Sequence, residues 1–431
     1  MSTTFTADRI AGLPGPAWLQ ARRQEAFERL ASTPRPTSSD DEWKYSPIEK
    51  LDLDSFEPAA ELDERPLPAA VSDILESIGP RAGVVLVRNG RVDKVELAED
   101  VAAQGVRFGG LADVGPESDA ALRGPGDHGG WSTHLHEAFL VDAAVLRVPR
   151  GVAVTRPFVV IQWLDAGADG RSVFPRIVVE AGEQSEVTLV DYAGSDSIEA
   201  FSSSVVELNA GPASNVRYLQ VQDYREQVLQ TGHLVSRAAR DATVRVFAAA
   251  LGGSYVRLFL DADLGEQGAT TDIQSIYFGE GSQVHDFRSV QDHHSIRSTS
   301  SFLLKGAAAG ESHGIYSGVI IVREGAKGTD AFLTNRNLVL SKGAGVDSIP
   351  NLEITNENDL KNCGHAAATG PVNEDQRFYL ESRGVPTDVA ERLIVFGFFD
   401  EVVSGVPIAG LRELLRQAVA LKLRAAENAH A

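Results

Sequence analysis

Cysteine is almost absent from this chain: its 431 residues include a single one, Cys363. That excludes an internal disulfide framework and an internal CxxC redox pair. Long apolar runs are missing as well, since none approaches the ~20 residues that a membrane-spanning helix needs. The opening residues, Met1 to Thr6, lack the basic and apolar stretches of a secretory signal, so the expected location is the cytoplasm. Positive charge is scarce, with 40 Lys and Arg against 60 Asp and Glu and a formal net charge of −20. Nucleic acids and anionic membrane surfaces both demand clustered cations, so neither is an expected partner. The acidity serves solubility first and could steer a basic partner. The apolar share of 43% and charged share of 23% are ordinary for a folded soluble protein, and the length allows two or three domains.

Helical periodicity is the next absence. From about Leu140 to Ile354 the chain offers short β-branched runs broken by Gly, Asp, Asn or Ser. Examples are Phe158 to Ile161, Ile177 to Val179, Val187 to Val190, Val244 to Phe247, Ile273 to Phe278, Gly318 to Val322 and Leu338 to Leu340. An all-β body follows, and the irregular spacing suits a sandwich, a barrel or a parallel β-helix without choosing among them.

The flanks differ. Ala17 to Leu30 has an amphipathic helical pattern, and a second helix is expected near Pro68 to Ile78. Mixed signals continue to about Val114, and Asn89-Gly90 between two β-rich runs predicts a type I′ hairpin turn. After Gly370 the chain becomes helical: Asn373 and Gln376 have capping-box spacing, Arg383-Gly384 reads as a stop, and Asp388 and Glu391 repeat the capping spacing. The next helix is unusually apolar across Leu393 to Phe399, and a third runs from about Gly410 to Ala426. Three such helices cannot bury that surface among themselves, so part of it faces the β body and part is available to a partner.

Several enzyme patterns fail on context. Gly124 to Gly129 matches GxGxxG but follows no strand and opens no clear helix, and no GxxxxGK[ST] phosphate loop exists, so this chain has no ATP site of that kind. Gly310-Glu-Ser312-His-Gly314 matches the GxSxG elbow, yet a strand and not a helix is expected after it. His136-Glu137 lacks the second zincin histidine, and His293 and His294, as strand neighbours, point to opposite faces. One constellation stands apart, Asn362-Cys363-Gly364-His365. On an extended segment Cys363 and His365 share a face, and thiolate with imidazole suits iron, zinc or copper. The plainer reading is a buried thiol beside an ordinary histidine. A cluster usually takes four strong ligands, mostly cysteine, so any cluster here is shared with another chain or held transiently.

These residues carry a resemblance. Pro350 to Ile354, Leu360 to Gly370 and Asp375 to Gly384 resemble the C-terminal signature of the SufB/SufD family of the SUF iron–sulfur cluster assembly system. Gly325 to Asp330 and Asn335 to Ser341 resemble that family's last β rungs, and Trp43-Lys-Tyr-Ser-Pro47 resembles the aromatic N-terminal motif of its SufD branch. The resemblance implies a mainly β protein with helical flanks: a helical and mixed region over 1–139, a right-handed parallel β-helix over 140–370 and an ATPase-binding helical domain over 371–431. It implies a non-catalytic scaffold that pairs with a SufB-like paralogue through the β-helix. A SufC ATPase would bind the C-terminal helices, for which Phe378, Tyr379, Arg383, Leu393, Phe396 and Phe399 are the expected contacts. SufB carries a further cysteine just before its counterpart of Pro350-Asn351-Leu352; Lys342 to Pro350 contains none, which places the likeness on the SufD branch. His365, and with it Cys363, would contribute to a transient cluster site shared with SufB. The chain departs from the family in reading Cys-Gly-His-Ala-Ala where other members read Cys-Ser-His-Gly-Ala, which touches local backbone shape and not ligand type. A homodimer of the isolated chain stays open. The rivals from other classes are a β-helix enzyme acting on polysaccharide and a purely structural solenoid that polymerises.

Overall fold

A computed structural model describes residues 4–59, 66, 68–113, 122–126, 128–355 and 359–428. From Ala144 onward the strands alternate between two parallel sheets, giving a solenoid of about eight turns. Neighbours in the first sheet run Ala144–Val148, Arg176–Ala181, Ala200–Ala210, Val228–Ala238, Tyr255–Leu264, Val284–His293, His313–Val322 and Gly345–Ile354. The second runs Phe158–Leu164, Glu186–Ser195, Asn215–Asp223, Thr243–Ala250, Thr270–Gly279, Thr299–Ala308, Asp330–Val339 and Asn362–Gly370. This resolves the three β architectures in favour of the parallel β-helix.

In-register pairing stacks equivalent residues into columns. Phe158, Leu189, Tyr218, Val246, Ile273, Phe302 and Leu333 follow one another up the second sheet, and all are buried in the interior cluster. The strands alternate strictly, as side chains of period two must. In Tyr255–Leu264, Val256, Leu258, Leu260, Ala262 and Leu264 point in, while Arg257, Asp261 and Asp263 belong to the opposite face. Corners between strands are built on left-handed residues. Some are glycine, as at Gly268, Gly281 and Gly310, but Gln184, Ala213, Asp241 and Arg297 hold the same conformation at φ between 56° and 58°.

The region upstream of 140 is not separate from this body. Hairpin Gly83–Arg88/Arg91–Leu97 turns at Asn89 and Gly90, both at positive φ, and its first strand pairs parallel with Phe158–Leu164. Strand Arg107–Gly109 pairs antiparallel with Ala144–Val148. Both sheets are therefore covered at their beginning by strands from 1–139. Val114, where the mixed signals were expected to end, lies outside the described residues, as does Asp127 within the GxGxxG match.

Helices cover the outer faces. Helices Ala17–Ser32 and Gly130–Phe139 pack on the first sheet through Leu30, Leu135 and Phe139 against Phe174 and Phe201. Helices Thr387–Val403 and Ala409–Asn428 join Ala69–Ile78 on the second, where Phe399, Leu411 and Leu415 meet Phe247 and Phe278. The cap at Asn373 forms, its side chain accepting from the Gln376 N–H at 3.0 Å. The second does not: the helix starts at Thr387 after Pro386, with no side-chain cap, and Asp388 instead accepts from Arg392 one turn on, at 3.0 Å. Proline already sets φ at that entrance and leaves the acids free for ion pairs.

Candidate functional site

The last turn differs from every other. Strands Gly345–Ile354 and Asn362–Gly370 each stand at the end of a sheet, paired on one side only among the described residues. Register carries the interior columns onto them: Cys363 lies opposite Ala331, and His365 opposite Leu333, both partners being fully buried. Cys363 and His365 thus share the inner face, as their spacing predicts. Among the described residues no further turn covers them, so His365 is exposed at the mouth of the interior while Cys363 is half-buried against the core. Burial pushes the Cys363 thiol above its ordinary range. Gly364 faces outward, where a Cβ would stand 3.2 Å from the Phe332 ring; its backbone is not left-handed, so glycine there is a matter of space and not of conformation. Among the described residues, no three His, Cys, Asp or Glu side chains gather as a metal would require. His365 and Cys363 form an open pair.

At this mouth the apolar Leu352 and Ile354 remain in solvent, 37% and 39% exposed, and Phe332 is 40% exposed on the outer face beside Gly364. Beneath the pair lie Ala331 and Leu333, and two residues further along that strand Asn335 Oδ1 accepts from the Ser348 hydroxyl at 2.8 Å.

The C-terminal helices divide the expected partner residues between two faces. Phe378, Tyr379 and Leu393 are exposed at 70%, 58% and 50%, and the Arg383 guanidinium lies over the Tyr379 ring at 5.3 Å. Phe399 is buried, packing on Phe278 at 5.9 Å, and Phe396 is half-buried in the same cluster, so these two hold the helix to the solenoid. Between helix and sheet lies a groove of about 780 Å³ lined by Tyr379, Leu393, Phe398 and Lys305. Lys305 donates to the Phe398 carbonyl at 2.8 Å and pairs with Glu401.

The remaining motifs have structural work. Trp43 lies under the Arg257 guanidinium at 3.7 Å, Arg288 donates to the Lys44 carbonyl at 2.7 Å, and Ser46 bonds the Tyr255 hydroxyl at 2.6 Å. The aromatic N-terminal motif is thus a clasp on the first sheet. Ser312 sits in a corner between two strands, accepting from the Ala309 N–H at 3.0 Å, so it is no nucleophile elbow. Buried His293 bonds Ser298 and Ser300 inside, whereas His294 pairs with Asp292 at 3.3 Å outside. Glu137 is an ion-pair partner of Arg176 and Arg22. The interior polar groups Tyr277, Asn335 and Asn337 were not singled out from sequence, although the inward period of their strands and the glycines at 306 and 314 carry a signal.

The sequence profile of the SUF system FeS cluster assembly SufBD core domain matches residues 164–398, more than half the chain. The chain belongs to the SufBD family. Its family role is in iron–sulfur cluster assembly. A SufBD family protein of Mycobacterium tuberculosis is 31% identical over 65% of this chain and 69% of its own length. The iron–sulfur cluster assembly protein SufD of Bacillus subtilis is 25% identical over 95% of both chains, and SufD of Escherichia coli 25% identical over 90% of both. The SufBD match runs past Gly370 and ends at residue 398, inside helix Thr387–Val403. No helix among the described residues is long and apolar enough to cross a membrane.

Proposed function

We propose that this chain is a non-catalytic scaffold for iron–sulfur cluster assembly in the cytoplasm, paired with a SufB-like chain and carrying a SufC ATPase on its C-terminal helices. The observation that carries the reading is the asymmetry of the solenoid. Strands cover the sheets where they begin, and among the described residues the last turn leaves both edges free with His365 and Cys363 facing the uncovered interior. A second solenoid meeting those edges would continue their main-chain hydrogen bonds and bury Leu352 and Ile354. It would also complete a ligand set that His365 and Cys363 only begin. The cluster is cargo here, its main thiolates supplied by the SufB-like chain and its sulfur and electrons by other proteins. His365 is the readier ligand, since a thiol ligates only after losing its proton and burial holds the Cys363 proton on. In the absence of SufB the same edges could pair two copies of this chain. Phe378, Tyr379, Arg383 and Leu393 are the surface offered to the ATPase, in which nucleotide hydrolysis resides.

The test is His365→Ala in cells whose only copy of the gene carries it. The exposed imidazole contributes little to folding, so thermal unfolding and complex assembly stay as in the parent, while maturation of iron–sulfur enzymes is abolished. Normal activity of those enzymes in such cells would refute the ligand role.

A further inference from the structure

The last turn is held from inside by polar groups that an apolar core would not need. Asn335 and Asn337 are buried two residues apart on the inner face of Asp330–Val339. Asn337 Oδ1 accepts from the Tyr277 hydroxyl at 2.9 Å; its Nδ2 donates to Asn335 Oδ1 at 2.7 Å and to Thr369 Oγ1 at 3.2 Å. Asn335 Oδ1 also accepts from Ser348. The chain of bonds thus starts in strand Thr270–Gly279 and ends on both strands of the last turn. Tyr277 reaches that far because its column continues as Gly306, Asn337 and Thr369. A Cβ at Gly306 would overlap the Tyr277 ring, and one at Gly314 its hydroxyl. Neither glycine has a positive φ, so both are there to leave room.

We propose that this network positions the candidate site: Tyr277 and Asn337 fix Asn362–Gly370, and Asn335 fixes Gly345–Ile354, in the register that turns Cys363 and His365 inward. Strands alternate with period two, so a slip of one residue would move both ligand-type side chains to the outer face. Within the solenoid turns the last two strands are the most prone to slip, each being paired on one side only among the described residues. A slip would also pull Thr369 and Ser348 away from Asn337 and Asn335, leaving buried amides short of partners. What the inward face is for rests on the scaffold reading; the register itself does not.

The single cysteine makes the experiment direct. Maleimide labelling of Cys363 in the full chain needs neither partner nor cluster. Thr369→Val removes a hydroxyl at an exposed, shape-preserving position, and Tyr277→Phe removes only the phenol oxygen. Each is expected to raise the labelling rate roughly two- to tenfold, the range of one neutral hydrogen bond. Deuterium uptake should rise over 345–370 and stay level in the turns before 264. Thr369→Ser retains the parent rate. Tyr218→Phe, which removes a comparable interior hydroxyl bond to Asp191 in the early turns, leaves Cys363 labelling unchanged. Unchanged labelling in both Thr369→Val and Tyr277→Phe overturns the proposal, as does an equal rise in Tyr218→Phe, which would mean general loosening. A positive labelling result beside normal maturation in His365→Ala cells would leave the register lock standing and remove the ligand reading.

Discussion

Arg176 is fully buried and holds its charge between two carboxylates, Glu137 from helix Gly130–Phe139 and Glu207 from the next strand of the first sheet. Burial opposes ionisation of Glu137, yet the Arg176 and Arg22 charges pull it down to about 2. Removing the cation would leave two buried carboxylates leaning on the less buried Arg22 and Arg237, so Arg176→Ala is expected to cost about 3–5 kcal/mol, read from the urea midpoint. Buried imidazoles set a second residue-scale expectation. Burial lowers His136, His233 and His285 to about 3 and His293 to about 4. The unfolded chain protonates them below pH ~6.5 while the native chain does not, so stability present above that pH is lost as pH falls toward the native values. Asp261, raised by burial to about 7, acts in the opposite sense, its native form binding the proton first. Asp142, Glu180, Asp191, Asp223 and Asp263, also raised by burial, and His128, raised by Asp292, act in the same sense as Asp261. With four strongly lowered imidazoles against one strongly raised acid, the unfolding temperature should decline between pH 6.5 and 5; a flat or rising profile would contradict this.

The C-terminal helices are docked by apolar packing, two buried lysines and one close backbone approach. Lys305 reaches Phe398 and Glu401, and Lys422 bonds Glu280 and Gln283 at 2.8 and 3.0 Å. At Gly410 an added Cβ would overlap the Ser77 carbonyl of helix Ala69–Ile78. Gly410→Ala is therefore expected to lift Ala409–Asn428 from its seat, seen as faster proteolysis after residue 374 with the solenoid intact. These helices were legible in sequence because their apolar period is long and Asn373 carries a real cap. The restart at Pro386 to Asp388 was legible too, but the capping-box spacing of Asp388 and Glu391 was misleading, because proline and not a side-chain cap sets that end. Which aromatics face out was not legible: Phe396 and Phe399 follow Leu393 in one apolar run, and only packing against Phe278 separates the inward ring from the outward leucine.

At the scale of the molecule, the β texture was plain in the chain, and the solenoid's repeat was not. Its corners need left-handed residues, and glycine or aspartate marks only some of them; Gln184, Ala213 and Arg297 give no turn signal of their own. The 1–139 boundary blurred for a related reason, since the strands at Gly83–Arg88 and Arg107–Gly109 belong to sheets whose other members lie far along the chain. The shared face of Cys363 and His365 was readable from strand period alone, whereas the open end that exposes it depends on where both sheets stop. On the proposed scaffold reading, that asymmetric body, covered at its start and open at its end among the described residues, would suit the chain to hold a cluster jointly with another.

The most direct measurement is anaerobic affinity capture of the full chain from its native extract, read by mass spectrometry, beside a Phe378→Asp, Leu393→Asp double variant. Both side chains are exposed, so the variant folds as the parent does. The scaffold account predicts a SufB-like chain with both proteins and a SufC-like ATPase that is lost from the variant. Recovery of neither partner, from extract shown to contain both, would contradict it.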